Sequence, residues 1–122
     1  MSYDIWLELE GMSNEEPGNI TYNVDPMFAL ALGGAPAEGV QNARELLIDR
    51  KDGALKRFIG KRAGEILATL DDMVIAMEAH PDVYRALNPE NGWGNYEGAL
   101  NYIRRFRDAC AESPSAIVNG WL

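Results

Sequence analysis

The chain has a single cysteine, Cys110, and a single histidine, His80. One cysteine excludes an internal disulfide, and the two together supply too few ligands for a Cys/His zinc site. No apolar run approaches the length that spans a bilayer, so no membrane association is expected. The first residues, Met1-Ser2-Tyr3-Asp4, lack the basic and apolar regions of a signal peptide, and a cytoplasmic location follows as the expectation. Positive charge is missing from one third of the chain. Residues 1–43 hold no Lys or Arg, whereas Asp4, Glu8, Glu10, Glu15, Glu16, Asp25 and Glu38 place seven carboxylates there. With a net charge of −8, direct nucleic-acid binding is not expected. The sequence has no grouping of serine, histidine and acid, no phosphate-cradling glycine motif and no paired zinc ligands, so no cofactor is expected either. Asp71-Asp72 and Glu15-Glu16 are adjacent carboxylates; on a helix such neighbours point about 100° apart and make a poor catalytic pair.

What is present suits one globular domain over residues 1–122: 47% of residues are hydrophobic and 25% charged. Tyr3, Ile5, Leu7 and Leu9 alternate with Asp4, Trp6, Glu8 and Glu10, the pattern of a half-buried strand. Gly11 to Gly18 reads as a polar loop, and Ile20 to Val24 as a second strand in a hairpin with the first. Asp25-Pro26 predicts the start of a short helix, Met27 to Leu32, with Asp25 accepting the free amides at its first turn and Gly33-Gly34 ending it. Residues 37–49 have the spacing of an amphipathic helix. A basic connection, Arg50, Lys51, Lys56, Arg57, Lys61 and Arg62, follows, with Leu55, Phe58 and Ile59 as inward anchors. Ile66, Leu67, Leu70, Met73, Val74 and Met77 form a continuous helical stripe. His80-Pro81 breaks that helix and starts a short one. Tyr96, Ala99, Leu100, Ile103, Phe106 and Cys110 make the buried stripe of a last helix, about Tyr96 to Glu112, with Asn95 as its cap. Residues 116–122 suit a closing strand beside the first. The order predicts an α+β fold: a small antiparallel sheet of N-terminal strands plus a C-terminal strand, covered by three to five helices.

The stretch between the last two helices holds the candidate site. Asn88, Asn91, Asn95, Tyr96 and Glu97 lie within ten residues of one another, beside a helix N-terminus whose amides can hold an anion or a polar small molecule. Trp93, between Gly92 and Gly94, is either a plug into the core or an exposed platform for a ligand. On the last helix Arg104 or Arg105 is available to clamp a carboxylate or phosphate, while Arg104 with Asp108 and Glu97 with Asn101 also stand one turn apart for pairing. The predicted ligand-binding set is therefore Asn88, Asn91, Trp93, Asn95, Tyr96, Glu97 and Arg104. None of these residues forms a catalytic signature.

Two stretches carry a resemblance. Ile20-Thr21-Tyr22-Asn23-Val24-Asp25-Pro26-Met27-Phe28, and Leu87 to Leu100 with its Asn91-Gly92-Trp93-Gly94 and Tyr96-Glu97, resemble a group of small proteins from actinobacterial phages, prophages and their hosts. That group shares an N-terminal strand and the same two motifs. The resemblance implies the architecture above and a phage-related origin, and it carries over no catalytic residue. The segment from Gly33-Gly34 to Gly60 is longer here than in that group.

The leading expectation is a small acidic accessory protein that works by non-covalent binding. It would inhibit a host or defence protein, or sequester a small polar, nucleotide-like ligand, in the host cytoplasm. The alternatives are a small hydrolase or transferase using Glu97 as general base with Asn91 orienting, a structural protein with tryptophan oligomer contacts, and a nucleic-acid mimic built from the acidic 1–43 segment.

Overall fold

A computed structural model describes residues 2–32 and 53–121. The helix expected over 37–49, and the start of the basic stretch, lie outside the described residues. Three strands, β1 (Ser2–Leu9), β2 (Met12–Thr21) and β3 (Ile117–Trp121), form an antiparallel sheet in the order β2-β1-β3. Among the described residues four helices accompany it: α1 (Asp25–Leu32), α2 (Ala63–Ala79), α3 (Pro81–Arg85) and α4 (Tyr96–Glu112). Short 3₁₀ turns cover Tyr22–Val24 and Ala54–Phe58. The fold is α+β.

The alternation of β1 sorts its side chains as expected at Tyr3, Ile5 and Leu7, which are buried, while Asp4 is exposed and Trp6 and Glu8 half-buried. Leu9 departs from the pattern. It is 42% exposed and sits opposite Met12, which is 77% exposed, at the hairpin tip. The polar stretch expected to be a loop is instead most of β2. The hairpin turns on Glu10 and Gly11 alone, both at positive φ (52° and 81°), the mirror-image turn whose twist matches paired strands. β2 then follows β1 through backbone pairing, with a bulge where Ile5 pairs with Gly18 and Leu7 with Asn14.

The described helices lie on one face of the sheet. α1 is nearly enclosed, with Met27, Phe28, Ala29, Leu30 and Ala31 all buried. Its first residue, Asp25, expected to accept the free amides of this helix, directs its carboxylate to other elements instead. Its carboxylate is 4% exposed and accepts from the Tyr3 hydroxyl at 2.5 Å and the Ala54 amide at 2.9 Å, joining β1, α1 and the 54–58 turn. Leu70, Met73 and Met77 of α2 pack with Tyr102, Ile103 and Phe106 of α4 in one core. Fully burying a side chain such as Phe106 contributes about 1.5–3 kcal/mol. Of the expected 54–60 anchors, Leu55 and Phe58 are buried and Ile59 is half-buried. β3 pairs with β1 as expected, and its other side meets the 60–63 segment: Gly60 donates to the Val118 carbonyl, and Val118 to that of Lys61.

Candidate functional site

The Asn88–Asn95 loop is held by its own asparagines. Asn88 Oδ1 accepts from the Tyr96 amide at 2.8 Å, Asn91 Oδ1 from the Trp93 amide at 2.9 Å, and Asn95 Oδ1 from the Gly98 amide at 2.7 Å. Asn95 is the helix cap that its position predicted. The expected anion site is therefore already satisfied from within. The amides of Tyr96 and Gly98 are taken by side chains, and the Glu97 carboxylate accepts from its own backbone amide. That bond, followed by the Arg85 guanidinium, holds the Glu97 carboxyl below the usual glutamate range.

Other members of the predicted set are also committed elsewhere. Tyr96 is buried, its hydroxyl donates to the Met77 carbonyl at 2.6 Å, and its ring stacks on Tyr84. Glu97 pairs with Arg85 of α3 at 3.0 Å, and no bond to Asn101 forms part of its arrangement. Arg104 reaches across to Glu78 of α2 at 3.3 Å, while Asp108 is engaged by Arg107. These residues hold helices and loop in place. An ionised, paired and exposed Glu97 is a weak general base.

Trp93 is the exception. It points outward, 70% exposed. Gly94 makes this geometry possible: its φ is +93°, and a Cβ there would lie 2.7 Å from both Thr21 Cγ2 and Val24 Cγ1. The backbone must touch the end of β2, and the two motif stretches, distant in sequence, meet at this contact. Trp93 then walls a hollow of about 450 Å³ with Ser2, Asn19, Thr21 and Asn23.

A second hollow of about 470 Å³ lies on the same sheet, lined by Asp4, Ile5, Trp6, Ser13, Glu15, Gly18 and Trp121. Strand register explains the grouping. Asp4 pairs with Trp121 on one side and Asn19 on the other, and Ser2 pairs with Thr21, so these side chains share the face opposite the core. Trp121 is 73% exposed, and its ring centroid is 6.2 Å from that of Trp6. The Trp6 indole N–H donates to Glu8 Oε1 at 2.8 Å, which fixes the ring. Asn19 stands between the two hollows, donating to Ser2 Oγ and Asp4 Oδ1.

All three tryptophans of the protein thus lie outside the core. Reading the loop alone missed Trp6 and Trp121. The available signal was a tryptophan in the polar, outward set of an alternating strand. Elsewhere Cys110 is buried on α4 and His80 ends α2 in an exposed position. Among the described residues no group of three His, Cys, Asp or Glu side chains is placed to hold a metal ion, and no helix is long and apolar enough to cross a membrane. No family model matches the chain, and no curated protein or solved structure is significantly similar to it.

Proposed function

We propose that this is a small acidic accessory protein of phage type that acts by non-covalent binding, and that its target is a protein of the host or of its defence machinery. The observation that carries this reading is the placement of Trp6, Trp93 and Trp121 on or beside the face of the sheet that no described helix covers. Large amphipathic rings outside a core are the residues that dominate protein interfaces. A broad face with two shallow hollows suits a macromolecular surface better than an enclosed small molecule. Asp4 and Glu15 in the larger hollow oppose a phosphate-bearing ligand, and at the α4 N-terminus the Tyr96 and Gly98 amides are already taken by asparagine side chains. The resemblance to phage-encoded proteins supports action in a bacterial host cytoplasm.

The experiment is affinity capture from an actinobacterial lysate with three baits: the native protein, Trp93→Ala and Trp121→Ala. The expected result is a protein retained stoichiometrically by the native bait and lost from at least one variant. Multiple turnover of nucleotides or esters by the purified protein would overturn the binding reading in favour of Glu97 catalysis.

A second reading has its own support. The hollow beside Trp93 is lined by Ser2, Asn19, Thr21 and Asn23, all neutral hydrogen-bonding side chains next to an aromatic plane. This suits an uncharged polar ring. Metabolite analysis of the same captured samples tests it: a small molecule bound to the native bait and absent from Trp93→Ala would favour sequestration.

A further inference from the structure

We propose that the acidic groove beside the Trp6–Trp121 ring pair receives a lysine or arginine side chain from an extended basic segment of the partner protein. This rests on the protein-binding reading above and names the chemistry of its partner. Two independent features of the groove point the same way. Among the described residues its charged lining groups are the carboxylates of Asp4 and Glu15, with no Lys, Arg or His. Glu8 adds a third carboxylate at its edge, through the Trp6 indole. One wall is the Trp6–Trp121 pair, two indole rings in contact with each other at 45° with centroids 6.2 Å apart, of which Trp121 is largely exposed. Indole faces carry negative quadrupole density and attract a cation within about 6 Å of the ring centroid. A cation against that pair therefore gains from the rings and from the carboxylates.

Other occupants gain from only one. An apolar side chain would desolvate Asp4 and Glu15 without compensation. An anion would be repelled. Asp4 retains acceptor capacity for the incoming group, since Asn19 uses one of the roughly four lone-pair positions of its carboxylate. A second copy of this chain would bring its own charge of −8 against an acidic face, which opposes self-docking. The groove is open to solvent, so an extended segment can lay one side chain against the ring pair, beside Asp4 and Glu15.

The test follows the three indole N–H resonances of the ¹⁵N-labelled full chain by NMR, assigned with single Trp→Phe variants. Hexa-arginine, hexalysine and hexaglutamate are titrated at about 0.01 M and about 0.15 M salt. The expected result is saturable movement of the Trp6 and Trp121 resonances with both cationic peptides, weaker at the higher salt, and little movement of Trp93. Trp121→Ala should weaken hexa-arginine binding by roughly threefold to thirtyfold. Glu15→Gln, which removes charge while leaving both rings, should weaken it measurably as well. The proposal is overturned if the cationic peptides move no indole resonance, if hexaglutamate acts equally, if Trp93 moves as much as Trp121, or if both variants bind as the native chain does. It is also overturned if light scattering shows the protein self-associating through a contact that Trp121→Ala abolishes, since the occupant is then a second copy. Should the peptides fail while a captured protein still depends on Trp121, only the cationic occupant falls and the binding reading stands. Should both fail, both fall.

Discussion

Asn19 donates its side-chain amide to the Asp4 carboxylate at 3.0 Å across the β1–β2 pair, and this contact forms the ridge between the two hollows of the outer sheet face. The same amide reaches Ser2 at 2.9 Å. Because these groups are exposed, Asn19→Ala is expected to change unfolding free energy by less than about 1 kcal/mol. Its effect should be local instead, with the Trp93 and Trp121 indole resonances both shifting as the ridge is removed. Urea unfolding and the NMR spectrum of the same sample check both parts.

Gly94→Ala should be costly, because Thr21 and Val24 leave no room for a Cβ and φ is +93°. A loss of about 2–4 kcal/mol is expected from strain and overlap together. Gly92 is the control. It also has positive φ, +76°, but nothing lies within 4 Å of its Cβ position, so Gly92→Ala should cost only about 1 kcal/mol. Equal losses in thermal unfolding would mean that the contact with β2 is unimportant.

Tyr3→Phe removes the donor to a buried carboxylate and the acceptor of the Leu55 amide, a bond of 3.3 Å. The expected loss is about 2–4 kcal/mol, more than the removal of an ordinary surface hydroxyl. Asp25→Ala acts on the same cluster, so the double variant should be less destabilised than the sum of the two. Strict additivity in denaturant unfolding would show that the two residues act independently.

Alkaline pH should destabilise the fold. Burial raises the Cys110 thiol from 9.0 to about 12 and the Tyr84 hydroxyl from 10.0 to about 12, and it raises Tyr3 and Tyr102 further. Above pH 9 the unfolded chain releases protons that the native state still holds, so stability is full below that point and falls as pH rises toward the native values. Each group contributes at most about 1.4 kcal/mol per pH unit. Cys110→Ala should flatten the part that begins near 9, and Tyr84→Phe the part that begins near 10. The Tyr84 hydroxyl is buried without a hydrogen-bond partner, so Tyr84→Phe should also raise stability at neutral pH by about 1 kcal/mol. Urea midpoints across the alkaline range read both effects.

Elements whose burial repeats with a clear period could be read from the chain itself. Tyr3, Ile5 and Leu7 mark β1, and the Tyr96–Cys110 stripe with Asn95 before it marks α4. β2 was hidden because Ser13 to Gly18 has no β preference; its conformation comes from pairing with β1 across the Glu10-Gly11 turn. Asp25 carries a local capping signal, yet Tyr3 and Ala54 claim its carboxylate from distant parts of the chain. The same limit applies to the site. Polar residues crowded between 88 and 97 suggest ligand groups, but Asn88, Asn91 and Asn95 spend their oxygens on loop amides. Whether Trp93 turns outward depends on Gly94 meeting Thr21 and Val24, a contact that no local pattern encodes.

The strand order β2-β1-β3 also sets a timetable for synthesis. β1 is made first and meets β2 at once, but Ile117, the start of its other neighbour, lies more than a hundred residues further along. At about 5–20 residues per second, that edge waits roughly 5–20 s on the ribosome. During that interval Ile5 and Leu7 lie on a strand with one row of backbone groups unpaired, a ready template for another chain. The hairpin that can form early is the acidic one, carrying Asp4, Glu8, Glu10, Glu15 and Glu16 and no basic residue. Like charges hold nascent copies of it apart until β3 arrives.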